Sequence, residues 1–125
     1  MRRYNCIAWA AGDTQRNWWP INGYWPDGVL RAETVPAFME AYETLGYRLC
    51  FDEHLEEGVE KIALYGTRDQ NGVITPTHAA RQLQSGLWTS KLGPFEDISH
   101  NTLNDVNGPV YGQMICCMSR SCKYE

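Results

Sequence analysis

Three residues of this sequence could form a nucleophilic site: Cys6, His78 and Ser90. The chemistry would be acyl transfer. A thiolate attacks a carbonyl carbon, and an imidazole takes the thiol proton and later protonates the leaving group. A third polar side chain holds the imidazole in its working tautomer. Cys6 lies in Tyr4-Asn5-Cys6-Ile7-Ala8-Trp9-Ala10-Ala11-Gly12. Asn5 is a good N-cap and Gly12 a natural stop, so Cys6 falls in the first turn of a short apolar helix. There the free backbone N–H groups and the positive end of the helix dipole favour a thiolate. The Cys6 N–H, with the Asn5 side chain as a second donor, could hold an oxyanion. On this stretch alone, a packing cysteine is the commoner case.

His78 sits between small residues in Thr77-His78-Ala79-Ala80. Small neighbours leave room for an imidazole and let a helix approach closely. A structural histidine in a half-buried strand would look the same. The hairpin that follows supplies the third residue. If Gln84-Ser85-Gly86 is a three-residue loop with Gly86 in the left-handed region, Leu83 faces Leu87, Gln82 faces Trp88 and Ala80 faces Ser90. His78, Gln82, Trp88 and Ser90 then share one face. Ser90 is the expected third residue and Gln82 its competitor. A two-residue turn would bring Thr89 and Lys91 there instead.

Other elements must position these residues. Thr34-Val35-Pro36 opens a second helix, Phe38, Met39, Tyr42 and Leu45 form its apolar stripe, and Gly46 ends it. Tyr47 to Phe51 alternates as a short strand. Asp52 to Gly58 is acidic and reads as a solvated connection, in which His54 is discounted as exposed. Strands are expected over 59–66, 75–83 and 87–92 as an antiparallel meander. One or two helical turns are expected over 101–106 and a last strand over 110–118. Between Asp13 and Gly28 the chain is turn-rich yet carries Trp18, Trp19, Tyr24 and Trp25. Packing onto the core is the expected role of these rings, and a groove wall beside Cys6 is the functional alternative. Helices first and strands later define an α+β domain.

The totals set outer limits. With 125 residues, 43% hydrophobic and 21% charged, the chain fits one domain, 1–125, around one core. A formal charge of −4 without a basic cluster argues against nucleic acid as a partner. No apolar run reaches the length of a membrane span, and the N-terminus lacks the apolar segment of a signal peptide. The cytoplasm is therefore the expected compartment, although a chain exported without a signal, or excised from a larger protein, would read the same. The five cysteines are Cys6, Cys50, Cys116, Cys117 and Cys122. Their odd number does not suggest a disulfide framework, and no zinc spacing occurs. No metal or other cofactor is expected. Adjacent Cys116 and Cys117 would point to opposite faces of a strand.

The matching pieces Asn5-Cys6-Ile7-Ala8-Trp9-Ala10, Thr77-His78-Ala79-Ala80 and Leu87-Trp88-Thr89-Ser90-Lys91-Leu92-Gly93 resemble the papain-like cysteine peptidases and amidases. The closest likeness is to their compact NlpC-type bacterial branch. The resemblance implies N-terminal helices packed on an antiparallel sheet, with Cys6 as nucleophile and His78 as general base. The third residue maps to Ser90, where the family more often carries His, Asn, Gln or Asp. It implies a peptide or protein amide substrate, with deamidation or acyl transfer as variants, and a role as a bacterial effector or toxin by analogy. The competing expectation is a binding module on the same fold, without turnover, that uses the Trp-rich segment as its recognition surface.

Overall fold

The structure, a computed structural model, describes residues 4–92, 96–100 and 112–121, with the side chains of 90–92 and 96–100 left aside. Two helices come first, α1 (Cys6–Ala11) and α2 (Val35–Glu43). Six strands follow: β1 (Arg48–Cys50), β2 (Val59–Arg68), β3 (Ile74–Gln82), β4 (Trp88–Leu92), β5 (Glu96–His100) and β6 (Gln113–Ser121). They form one antiparallel sheet in the order β1-β6-β2-β3-β4-β5. The domain is thus α+β, helices first. The expected meander is β2-β3-β4, and β5 extends it by a strand that was not expected. The helical turns expected over 101–106 lie outside the described residues.

Local chemistry sets the helix ends. Asn5 is extended, and its side chain accepts the Ala8 N–H at 3.0 Å. Gly12 closes α1 at φ 81°, a left-handed conformation that costs glycine little. Thr34 caps α2 by accepting the Ala37 N–H, and Pro36 occupies the first turn. The hairpin between β3 and β4 has the register expected of a three-residue loop. Gln82 faces Trp88, Arg81 faces Thr89 and Ala80 faces Ser90, with Gly86 at φ 94°.

The sheet has two covered faces. On one, Ile62, Leu64, Ala79 and Met118 pack against Ile7, Ala8 and Ala10 of α1 and Phe38, Ala41 and Tyr42 of α2. Trp18 and Trp25 join this core with 3% and 2% exposure, so burial took these rings, as their size favours. On the other face Ala63, Tyr65, Ala80, Trp88 and Cys117 form a second cluster. Cys116 packs toward the helices and Cys117 away from them, as strand alternation requires.

The acidic connection is exposed but anchored. Lys61, 1% exposed, leaves β2 on the face away from the helices. Its ammonium donates to the Asp52 carbonyl at 3.0 Å, the Asp52 carboxylate at 2.9 Å and the His54 carbonyl at 2.7 Å. Three acceptors around one ammonium compensate its burial.

Candidate functional site

Cys6 is the first residue of α1 and is half-buried against the helix-side core. Its helix is firmly placed. The Tyr42 hydroxyl donates to the Ile7 carbonyl at 2.8 Å, tying α1 to α2. Burial pushes the Tyr42 pKa well up, and the neighbouring Cys6 and Tyr47 add to the shift, so this hydroxyl stays a donor. The Trp9 indole N–H donates to Thr89 Oγ1 on β4 at 3.2 Å, and the Arg81 guanidinium lies 5.0 Å from the Trp9 ring centroid. Alanines at 8, 10 and 79 let α1 approach β3 closely.

Asn5 makes three hydrogen bonds. Its Oδ1 accepts from the N–H groups of Ala8 and Trp18, and its Nδ2 donates to the Trp18 carbonyl at 2.7 Å. The side chain is a cap and a splice between two segments.

His78 is 1% exposed on β3, and its ring lies 5.3 Å from that of Tyr65, its cross-strand partner. Paired residues of an antiparallel ladder share a face. His78 therefore lies with Tyr65 and Ala80, whereas Ala79 and Arg81 point to α1. Cys6 and His78 are carried on opposite faces of the sheet. Of the residues expected to share a face, His78, Gln82 and Trp88 lie together, and α1 covers the other face. Small residues do let the helix in, yet Ala79 supplies the contact.

The two candidates for the third position differ. Ser90 pairs with Ala80 through the backbone, and its side chain lies outside the described residues. Gln82 stands four residues along β3 from His78, about 13 Å at strand rise. Its Nε2 donates to the carbonyls of Glu53 at 2.9 Å and Gly86 at 3.4 Å. Two carbonyl partners fix which end of the amide is nitrogen. Gln82 thus ties the acidic connection to the hairpin loop.

A cavity of about 550 Å³ opens where that connection meets the ends of β2 and β3. Tyr47, Leu55, Val59 and Leu83 give it apolar wall, and Glu56, Glu57, Lys61, Arg81 and Gln82 give it polar groups. Most of the charge is matched. Lys61 lies 2.9 Å from Asp52 and 3.5 Å from Glu56, and Arg120 pairs with the wall residue Glu60 at 2.8 Å. Hydrogen bonding to Lys61 and to the His54 N–H holds the Asp52 carboxyl below its ordinary range. Sequence reasoning missed this cavity. Its one legible signal is Lys61, which shares strand parity with Ala63 and Tyr65 and so faces inward; its partners come from a loop that has no period.

Among the described residues, no cluster of three or more His, Cys, Asp or Glu side chains could hold a metal ion. Nor is any described helix long and apolar enough to cross a membrane. The architecture is that of an α+β domain with both helices on one face of an antiparallel sheet. The chain belongs to the family described as a domain of unknown function (DUF7689), whose model matches residues 1–119. No curated protein and no solved structure matches the chain.

Proposed function

We propose that this domain is a papain-like module that recognises a peptide without cleaving it. The observation that carries this reading is the alternation of β3, which turns His78 to Tyr65 and Ala79 to the helix that bears Cys6. A thiol and an imidazole on opposite faces of a sheet cannot exchange a proton directly. The Trp-rich segment is largely spent on the core, so the recognition surface moves to the cavity beside Lys61. Its apolar wall, the exposed Glu57 carboxylate and the Arg81 guanidinium suit a short peptide that carries an aliphatic side chain between charges of opposite sign.

The probe is the tripeptide acetyl-Lys-Leu-Glu-amide, followed by calorimetry and then by mass spectrometry of the recovered peptide. The expected result is saturable binding, lost in Glu57→Lys, kept in Cys6→Ala, with the peptide intact. Binding indifferent to Glu57→Lys would remove the cavity from the reading. Cleavage that depends on Cys6 would overturn it altogether.

A second reading keeps one specific support: Cys6 stands at the capped start of α1 and is not fully buried. In that reading the domain is a cysteine hydrolase of the peptidase or amidase type. Cys6 attacks an amide carbon, His78 takes and returns the proton, and Ser90 orients the ring. It requires His78 to trade faces with a neighbour, a one-residue change of alternation. The register shift at Tyr65 and Gly66, beside His78, is where β3 would absorb it.

A further inference from the structure

We propose that Cys50 and Cys117 form a dithiol site that closes to a disulfide by exchange with a low-molecular-weight disulfide. Cys50 ends β1 and stands directly opposite Cys117 on β6. Directly opposed antiparallel residues have Cα atoms about 4.5 or 5.5 Å apart, and both spacings suit a disulfide. The side chains share the face away from the helices, where Cys50 packs against the cluster that buries Cys117. Both thiols donate to the same Asp52 carbonyl oxygen, with each Sγ 3.8 Å from it. Both are reduced in the structure.

Exposure sets the order of events. Cys50 is half-buried and next to Phe51, which is 91% exposed, whereas Cys117 is buried. The Cys50 thiolate attacks one sulfur of the small disulfide, forming a mixed disulfide and releasing one small thiol. The Cys117 thiol then gives up its proton and attacks the Cys50 sulfur, releasing the second small thiol. In total, two protein thiols and one small disulfide become one protein disulfide and two small thiols. Burial, then the neighbouring Cys50, pushes the Cys117 thiol up to about 12, while the Lys61 ammonium works the other way. Buried Cys117 therefore acts second, on the mixed disulfide formed beside it at half-buried Cys50.

Cys116 faces the helices from the same strand, and Cys6 sits on α1, so neither competes. The bond would fasten the short outer strand β1 to β6 and fix Asp52, the start of the segment that walls the cavity.

The native chain is incubated with glutathione disulfide, blocked with N-ethylmaleimide and digested without reduction for mass spectrometry. The expected product is a Cys50–Cys117 linked peptide pair lighter by two hydrogens, with a melting temperature raised by roughly 5–10 °C. Cys50→Ser, a change at a half-exposed site, should abolish the link; the mapping on the parent chain needs no variant. A persistent glutathione adduct on Cys50 with Cys117 free would overturn the proposal. So would a link through Cys6, Cys116 or Cys122, or a link that forms only in denaturant.

Discussion

At the scale of single residues, Asn5 and Lys61 do more than their types suggest. Asn5 makes three hydrogen bonds, one to the first turn of α1 and two to Trp18. Asn5→Ala removes the cap and unties the Trp18 segment, and the cap alone is worth about 1–2 kcal/mol. The expected cost is at the upper end of that range, read as a lower urea midpoint with an unchanged slope. Asn5→Asp would keep the cap but lose the bond to the Trp18 carbonyl, so it should fall between. Lys61 shows how a charge survives in a core. Its three oxygen partners all come from a connection that is otherwise exposed, so the loop is held by the strand as much as the charge is held by the loop.

At the scale of elements, the hairpin and the parity of its strands decide what the face displays. Gly86 takes φ 94° in the loop, and its N–H bonds the Leu83 carbonyl at 2.9 Å. Gly86→Ala should cost about 1 kcal/mol, because a side chain in that conformation is strained. Thermal melting measures it, and an unchanged midpoint would deny the left-handed loop. Much of this level was legible in the residues. Asn5 and Gly12 bound α1, Thr34 and Pro36 open α2, and the loop length gave the pairing of Ala80 with Ser90. Those signals are local, and local chemistry sets caps and turns. What could not be read was which face of β3 the helix would take. Ala79 and Ala80 are the same residue type on opposite faces, so side-chain volume offers no preference. The choice falls to the apolar residues of β2: Ile62 and Leu64 share Ala79's face and give α1 the larger apolar bed. β5 escaped because Glu96-Asp97-Ile98-Ser99-His100 holds a single apolar residue, and a strand of that composition has no period to detect.

At the scale of the whole molecule, buried thiols and paired carboxylates bound the pH range of stability. Burial raises Cys116 from 9.0 to about 11 and Cys117 from 9.0 to about 12. A raised folded pKa stabilises fully below the unfolded value and loses that contribution as pH climbs toward the folded one. The urea midpoint should therefore hold to about pH 9 and fall steadily above it. On the acid side, burial works to raise Asp13, but hydrogen bonds from Trp18, Gln15 and Arg16 outweigh it and hold the pKa below 3.8. Asp52 is lowered as well, chiefly by Lys61. A lowered pKa stabilises above the unfolded value, so this contribution is present above about pH 4 and goes as pH falls through the folded values. The same two-faced sheet that carries Cys116 and Cys117 on its opposite faces keeps Cys6 from His78, and that separation is the centre of the functional reading. The direct measurement is the rate of Cys6 alkylation by iodoacetamide against pH, followed by mass spectrometry, in the parent and in His78→Ala. Separation predicts superimposable profiles, with no reactive limb at low pH that His78 controls. A Cys6 reactive well below the ordinary thiol pKa of about 8.5, with that limb lost in His78→Ala, would contradict it and return the pair to catalysis.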